Sequence, residues 1–160
     1  METLDSIKSD YELERGKPMP SRIHGRLQAK LIGLLYVSCG KTHTIYSELS
    51  ITLAPLFAKQ VPDVAIYEGL TPYPVTDDIS VSEAPLIAVE ILSPTQGMDE
   101  LTDKIKGYLK DGVKSCWLIL PGLRSIAISA TPGVYQTFDY LETLRDPITG
   151  IELDLSALFS

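Results

Sequence analysis

The sequence predicts a mixed α/β fold, a central β-sheet flanked by helices, and three observations predict it. Apolar residues recur at helical spacing from residue 22 onward. Two short β-branched runs follow, at residues 61–67 and 85–92, bounded by prolines and wholly apolar but for one acid each. A second helical pattern at 98–112 then leads straight into a third apolar run, SCWLIL. Helices interspersed with buried strands require helix layers against a sheet.

From residue 22 to about 37, Ile23, Leu27, Leu31, Leu34 and Leu35 form one face of a helix that Ser21 can cap. After Gly40 the pattern switches to alternation, with Ile45, Ser47, Leu49 and Ile51 on one side of a strand. Strands are expected at 61–67 and 85–92, with the polar, Pro- and Gly-containing stretch 69–84 an exposed loop between them. In 98–112, Leu101, Ile105, Tyr108 and Leu109 make the buried stripe and Gly112 the stop. Residues 115–120 read as a buried strand, 124–129 and 134–140 as edge-like strands, and 154–159 as a short closing helix.

A length of 160 residues with 44% hydrophobic content fits one domain, 1–160, with a substantial core. The net charge of -7 provides no global positive field for nucleic acid or anionic membrane, although a divalent cation would reverse the sign of an acidic cleft. Cys39 and Cys116 have apolar neighbours and no zinc-type spacing, so buried free thiols are expected. With no signal-like N-terminus and no run of the roughly 20 apolar residues a membrane span needs, a cytoplasmic location is expected. Neither a GxxxxGK[ST] loop nor a GxSxG elbow occurs, which leaves nucleotide-triphosphate and esterase readings little support.

A carboxylate inside an apolar strand is costly unless it is paired, hydrogen-bonded or bound to metal. Glu90 in LIAVEIL and Asp63 in VPDVAIY both pose that problem. An ion pair or backbone amides would answer it for either acid alone. Adjacent strands lie about 4.8 Å apart, however, so two such acids can face one hard cation. On the following helix Lys104 falls beside Tyr108 at the margin of the buried stripe, whereas Lys106 and Lys110 project from the opposite side. Lys104 alone among them is placed to reach the sheet; otherwise it is a lysine that snorkels to water.

Tyr11-Glu12-Leu13 with Gly16, His24, Val61-Pro62-Asp63-Val64, Val89-Glu90-Ile91-Leu92-Ser93-Pro94-Thr95, Asp103-Lys104, Tyr108, Gly112-Val113 and Trp117 together resemble the Uma-two (Uma2) family. That family is numerous in cyanobacteria and is grouped with restriction endonucleases of the PD-(D/E)XK superfamily. The resemblance covers nearly the whole chain and implies a restriction-endonuclease-like fold. It implies Mg²⁺ or Mn²⁺ bound at Asp63, Glu90 and Ile91, and a catalytic set of Asp63, Glu90, Lys104 and Glu12. The superfamily lysine two residues after the second acid is Leu92 here, and Lys104 is the relocated candidate. His24 is a weaker candidate, read first as a surface or capping residue. The chain also departs from relatives at Ile119-Leu120-Pro121, where Asp-Pro is common, and at Lys17, where an acid is frequent.

The resulting expectation is a metal-dependent nuclease that hydrolyses phosphodiesters of nucleic acid, DNA foremost. Cleavage of both strands of a duplex would favour a homodimer. The alternative is a catalytically inactive nuclease-fold module that binds or regulates a partner, and a hydrolase of another phosphate compound is a third reading. The low pI of about 4.8 and the absence of basic runs favour the module.

Overall fold

The computed structural model describes residues 10–15, 19–53 and 59–160. A short helix α1, Asp10–Arg15, precedes the long helix α2, Arg22–Cys39. Ser21 caps α2 by accepting the His24 amide at 3.2 Å, and one stripe of Leu27, Leu31, Leu35 and Cys39 is buried. Each fully buried leucine contributes on the order of 2 kcal/mol by leaving water. Gly16 and Lys17 lie outside the described residues.

Six strands form one sheet in chain order: β1 His43–Ser47, β2 Val64–Glu68, β3 Ile87–Ile91, β4 Ser115–Leu120, β5 Ser125–Thr131 and β6 Val134–Asp139. Every neighbouring pair is antiparallel except β3 and β4, which run parallel. A parallel pair needs a crossover. Helix α3, Met98–Lys110, supplies it. Gly112 follows at φ 108°, a left-handed conformation that favours glycine, and turns the chain back into β4.

The sheet separates two apolar layers. Helix α2, the hairpin β7 Thr143–Arg145 with β8 Glu152–Asp154, and the closing helix α4 Leu155–Leu158 pack with Val64, Ile66, Val89, Trp117, Ile119 and Ile126. On the opposite face, Leu101, Ile105 and Tyr108 of α3 meet Ala88, Cys116, Leu118 and Ala127. The small side chains on that face bring α3 close to the strands. Both cysteines are free and buried, as their settings predict. Among the described residues no helix is long and apolar enough to cross a membrane.

Three expectations need correction. The strand predicted over 61–67 begins at Val64, so Asp63 occupies a bend just before β2. Glu48 adopts φ 52°, which ends β1 at Ser47; Ile51 then makes only isolated bridges, to Gln60 and Val81. The edge-like segment 124–129 is an interior strand, with Ile126 and Ile128 facing one layer and Ala127 the other. Ser129 within it is fully buried, and its hydroxyl is satisfied by donating to the Thr131 carbonyl at 2.9 Å. The edge on this side of the sheet is β6, whose residues are mostly exposed.

Asp146, in the turn between β7 and β8, fastens the hairpin to the sheet. It is 0% exposed. Its Oδ1 accepts the Ile148 and Thr149 amides at 2.8 and 3.0 Å, and its Oδ2 accepts Ser115 Oγ at 2.6 Å and Trp117 Nε1 at 2.7 Å. Asp146→Ala leaves buried donors unsatisfied and should lower stability by about 3 kcal/mol in urea unfolding. Trp117→Leu should cost a similar amount through lost packing. Losses under about 0.5 kcal/mol, the range of ordinary surface substitutions, would show that the hairpin is held otherwise.

Candidate functional site

Extending the β2–β3 register by one residue beyond the pair Val64↔Val89 sets Asp63 opposite Glu90. Asp63 is 1% and Glu90 2% exposed. Alternation places Glu90 on the face of Ala88, toward α3, as expected from the sequence. An ionised carboxylate removed from water must gain hydrogen bonds or opposite charge. Each of these acids does so through a different set of elements.

Asp63 Oδ2 accepts the Ile91 amide at 2.7 Å, a bond that ties the bend before β2 to the end of β3. His24 Nε2 lies 3.2 Å from the same oxygen. The main-chain carbonyl of Asp63 accepts Gln28 Nε2 at 2.9 Å and the Glu48 amide at 3.3 Å, so the residue is held at both ends. The surface or capping reading of His24 is therefore overturned. Only its main-chain amide serves the cap, while its ring is buried against Asp63. One turn of helix separates His24 from Gln28, and both point at the same residue.

Glu90 Oε1 receives two donors from α3. Lys104 Nζ is 3.0 Å away and Tyr108 Oη donates at 2.8 Å. The helical-phase argument for Lys104 matches this placement, whereas Lys106 and Lys110 are exposed and Lys106 Nζ lies 3.9 Å from Asp103. Burial, then the charge of Glu90 and its hydrogen bond, and more weakly Cys116 and Asp63, push the Tyr108 phenol well above the usual tyrosine range. It stays a protonated donor. Both carboxylates thus act on one phenol.

Glu12 is half-buried on α1, and its Oε1 accepts the Met19 amide at 3.2 Å. The side chain of Ile91 offers no donor atom to a metal, so only its main-chain carbonyl could serve. Leu92 follows on the α3 side and packs with that apolar layer.

The donor set can be tested against a divalent cation on its chemistry. Among the described residues no three His, Cys, Asp or Glu side chains gather into a metal-binding group. Magnesium asks less of a protein: one or two carboxylates, with water and substrate phosphate completing the shell. Asp63 and Glu90 are two carboxylates of the kind such a site uses.

Residues 7–156 match the family profile described as "Putative restriction endonuclease", Uma2. Among solved structures, "a putative nuclease belonging to DUF820" from Anabaena variabilis is similar, with a TM-score of 0.74 at 22% identity over 89% of this chain and 83% of that one. A likeness at that identity is one of fold. No curated protein matches.

Tyr108→Phe removes the phenol while keeping the ring, and should cost about 1.5 kcal/mol in urea unfolding, as for a hydrogen bond to a charged group. Because folding raises its pKa, the contribution of this phenol is fully present below the unfolded-state value, near ~10, and fades as pH rises beyond it. The wild-type advantage over Tyr108→Phe should therefore shrink in alkali. An advantage constant from pH 7 to 11 would contradict this placement of the phenol.

Proposed function

Because the chain belongs to the Uma2 family of "Putative restriction endonuclease" proteins, we propose that it is a nuclease, and more specifically a metal-dependent one that hydrolyses phosphodiester bonds of DNA. The observation that carries this reading is the pair of buried acids, Asp63 in the bend just before β2 and Glu90 in β3, with the Lys104 ammonium 3.0 Å from Glu90.

In this reading Asp63, Glu90 and the Ile91 carbonyl hold Mg²⁺ or Mn²⁺, which when bound supplies Lewis acidity and lowers the pKa of water. The residues of the chain do the positioning. Glu90 anchors Lys104 through its Oε1, and the ammonium orients the attacking water and offsets negative charge that develops on the phosphoryl oxygens. Tyr108 fixes the Glu90 rotamer by donating to the same oxygen. The Ile91 amide and His24 fix Asp63. Glu12 is the further acid proposed for the site.

Incubation of purified protein with duplex DNA, single-stranded DNA and RNA, with Mn²⁺, Mg²⁺ or EDTA, tests this reading. Cleavage should need the metal. Glu90→Gln and Asp63→Asn should lose it, Lys104→Ala should slow it by roughly 100-fold, and Lys106→Ala and Lys110→Ala should leave it within about twofold. Metal at about 100 times its Kd should add about 2.7 kcal/mol of stability, a melting shift of several degrees that Asp63→Asn removes. Neither cleavage nor a shift at millimolar metal would transfer the fold to the non-catalytic module.

A further inference from the structure

Two hollows meet beside the candidate site. One, of about 480 Å³, lies between the start of α2 (Ser21, Arg22, Ile23) and the exit of β3 (Leu92, Ser93, Pro94). The other, of about 220 Å³, continues along α2 past Arg26 and Leu27 to Arg124 and Phe159. Ile23 and Pro121 wall both, so the two adjoin, and together they are treated as one trough. It starts at the residue that caps α2, and the first turn of that helix carries the His24 ring to Asp63.

The charged side chains lining the trough are opposite in sign to the balance of the molecule. The chain holds 21 acidic and 14 basic residues. Yet no Asp or Glu is among the described residues lining either hollow, and Arg22, Arg26 and Arg124 all are. Two of the arginines are placed against local preference. Arg22 is the first residue of α2, whose first turn has no acid. A cation there opposes the helix dipole, an arrangement that suits an arriving anion rather than the helix. Arg124 holds φ 42°, a left-handed conformation uncommon for its type, at the end of the turn Pro121–Leu123, with its guanidinium 5.7 Å from the centre of the Tyr140 ring. Arg26 donates to the Ser160 main-chain oxygen at 3.0 Å, but Lys30 Nζ holds that oxygen at 2.8 Å, so Arg26 can turn to another anion without stranding it.

We propose that this trough is the track for a nucleic-acid strand, its phosphates bound by Arg22, Arg26 and Arg124. The inference rests on the nuclease reading. Guanidinium forks match phosphate oxygens, and Ile23, Leu92, Pro94 and Pro121 give apolar walls for sugar and base faces. The sequence-independent affinity of an acidic protein for a polyanion then comes from three residues.

The test is fluorescence anisotropy with a labelled single-stranded oligonucleotide and its duplex in EDTA, at several salt concentrations. Wild-type binding should weaken roughly fivefold for each of Arg22→Glu, Arg26→Gln and Arg124→Gln, and the slope of log affinity against log salt should fall by about one per arginine removed. Lys106→Ala and Lys110→Ala should change neither. Arg22→Glu guards against a folding artefact: an acid at the helix start should hold or raise the melting temperature while binding falls. Wild-type affinity and slope in the triple variant would overturn the proposal, as would equal competition by a polyglutamate peptide, which would assign the trough to an acidic polypeptide. Arginine-dependent binding without metal-dependent cleavage would sink the nuclease reading and leave the trough; cleavage indifferent to all three arginines would do the reverse.

Discussion

Burying Asp63 and Glu90 opposite one another where β2 meets β3 is the constraint that the surrounding elements answer. Two carboxylates removed from water would cost several kcal/mol each without partners. Partners arrive from three directions: the main chain of β3, the buried face of α2 and the margin of α3. The position of each helix is thereby linked to the acids. Shifting α3 by a residue would rotate Lys104 and Tyr108 away from Glu90 and leave a buried charge alone.

The two faces of the sheet divide the work. On the α2 face the core is large and almost wholly apolar, and its notable polar group, Asp146, serves to dock the β7–β8 hairpin under Trp117. The α3 face is built on small strand residues, Ala88, Cys116 and Ala127, which leave room for a long lysine and a tyrosine to descend onto Glu90. The larger core holds the scaffold rigid. The buried acids gather at the end of β3, where the neighbouring strand has not yet begun.

Much of this was legible in residue patterns because it depends on local periodicity. The α2 and α3 stripes, the SCWLIL strand and the cap at Ser21 follow from side-chain spacing that any packing must respect. Lys104 was separable from Lys106 and Lys110 because a helix turns by a known angle per residue. Edges were harder to read. The segment 124–129 read as edge-like because spacing within one segment does not show which strands will flank it.

By itself the sequence determined the α/β class, the two acids that need partners and the helix face that could reach them, since those are properties of period and polarity. Tertiary structure alone decided that His24 is buried on Asp63, that Tyr108 shares Glu90 with Lys104, that Asp146 clamps the hairpin, and that three arginines from α2 and the β4–β5 turn border one trough. Each of these joins residues distant in the chain or depends on side-chain direction. Such contacts are set by how layers close on one another, a cooperative outcome that no single segment encodes.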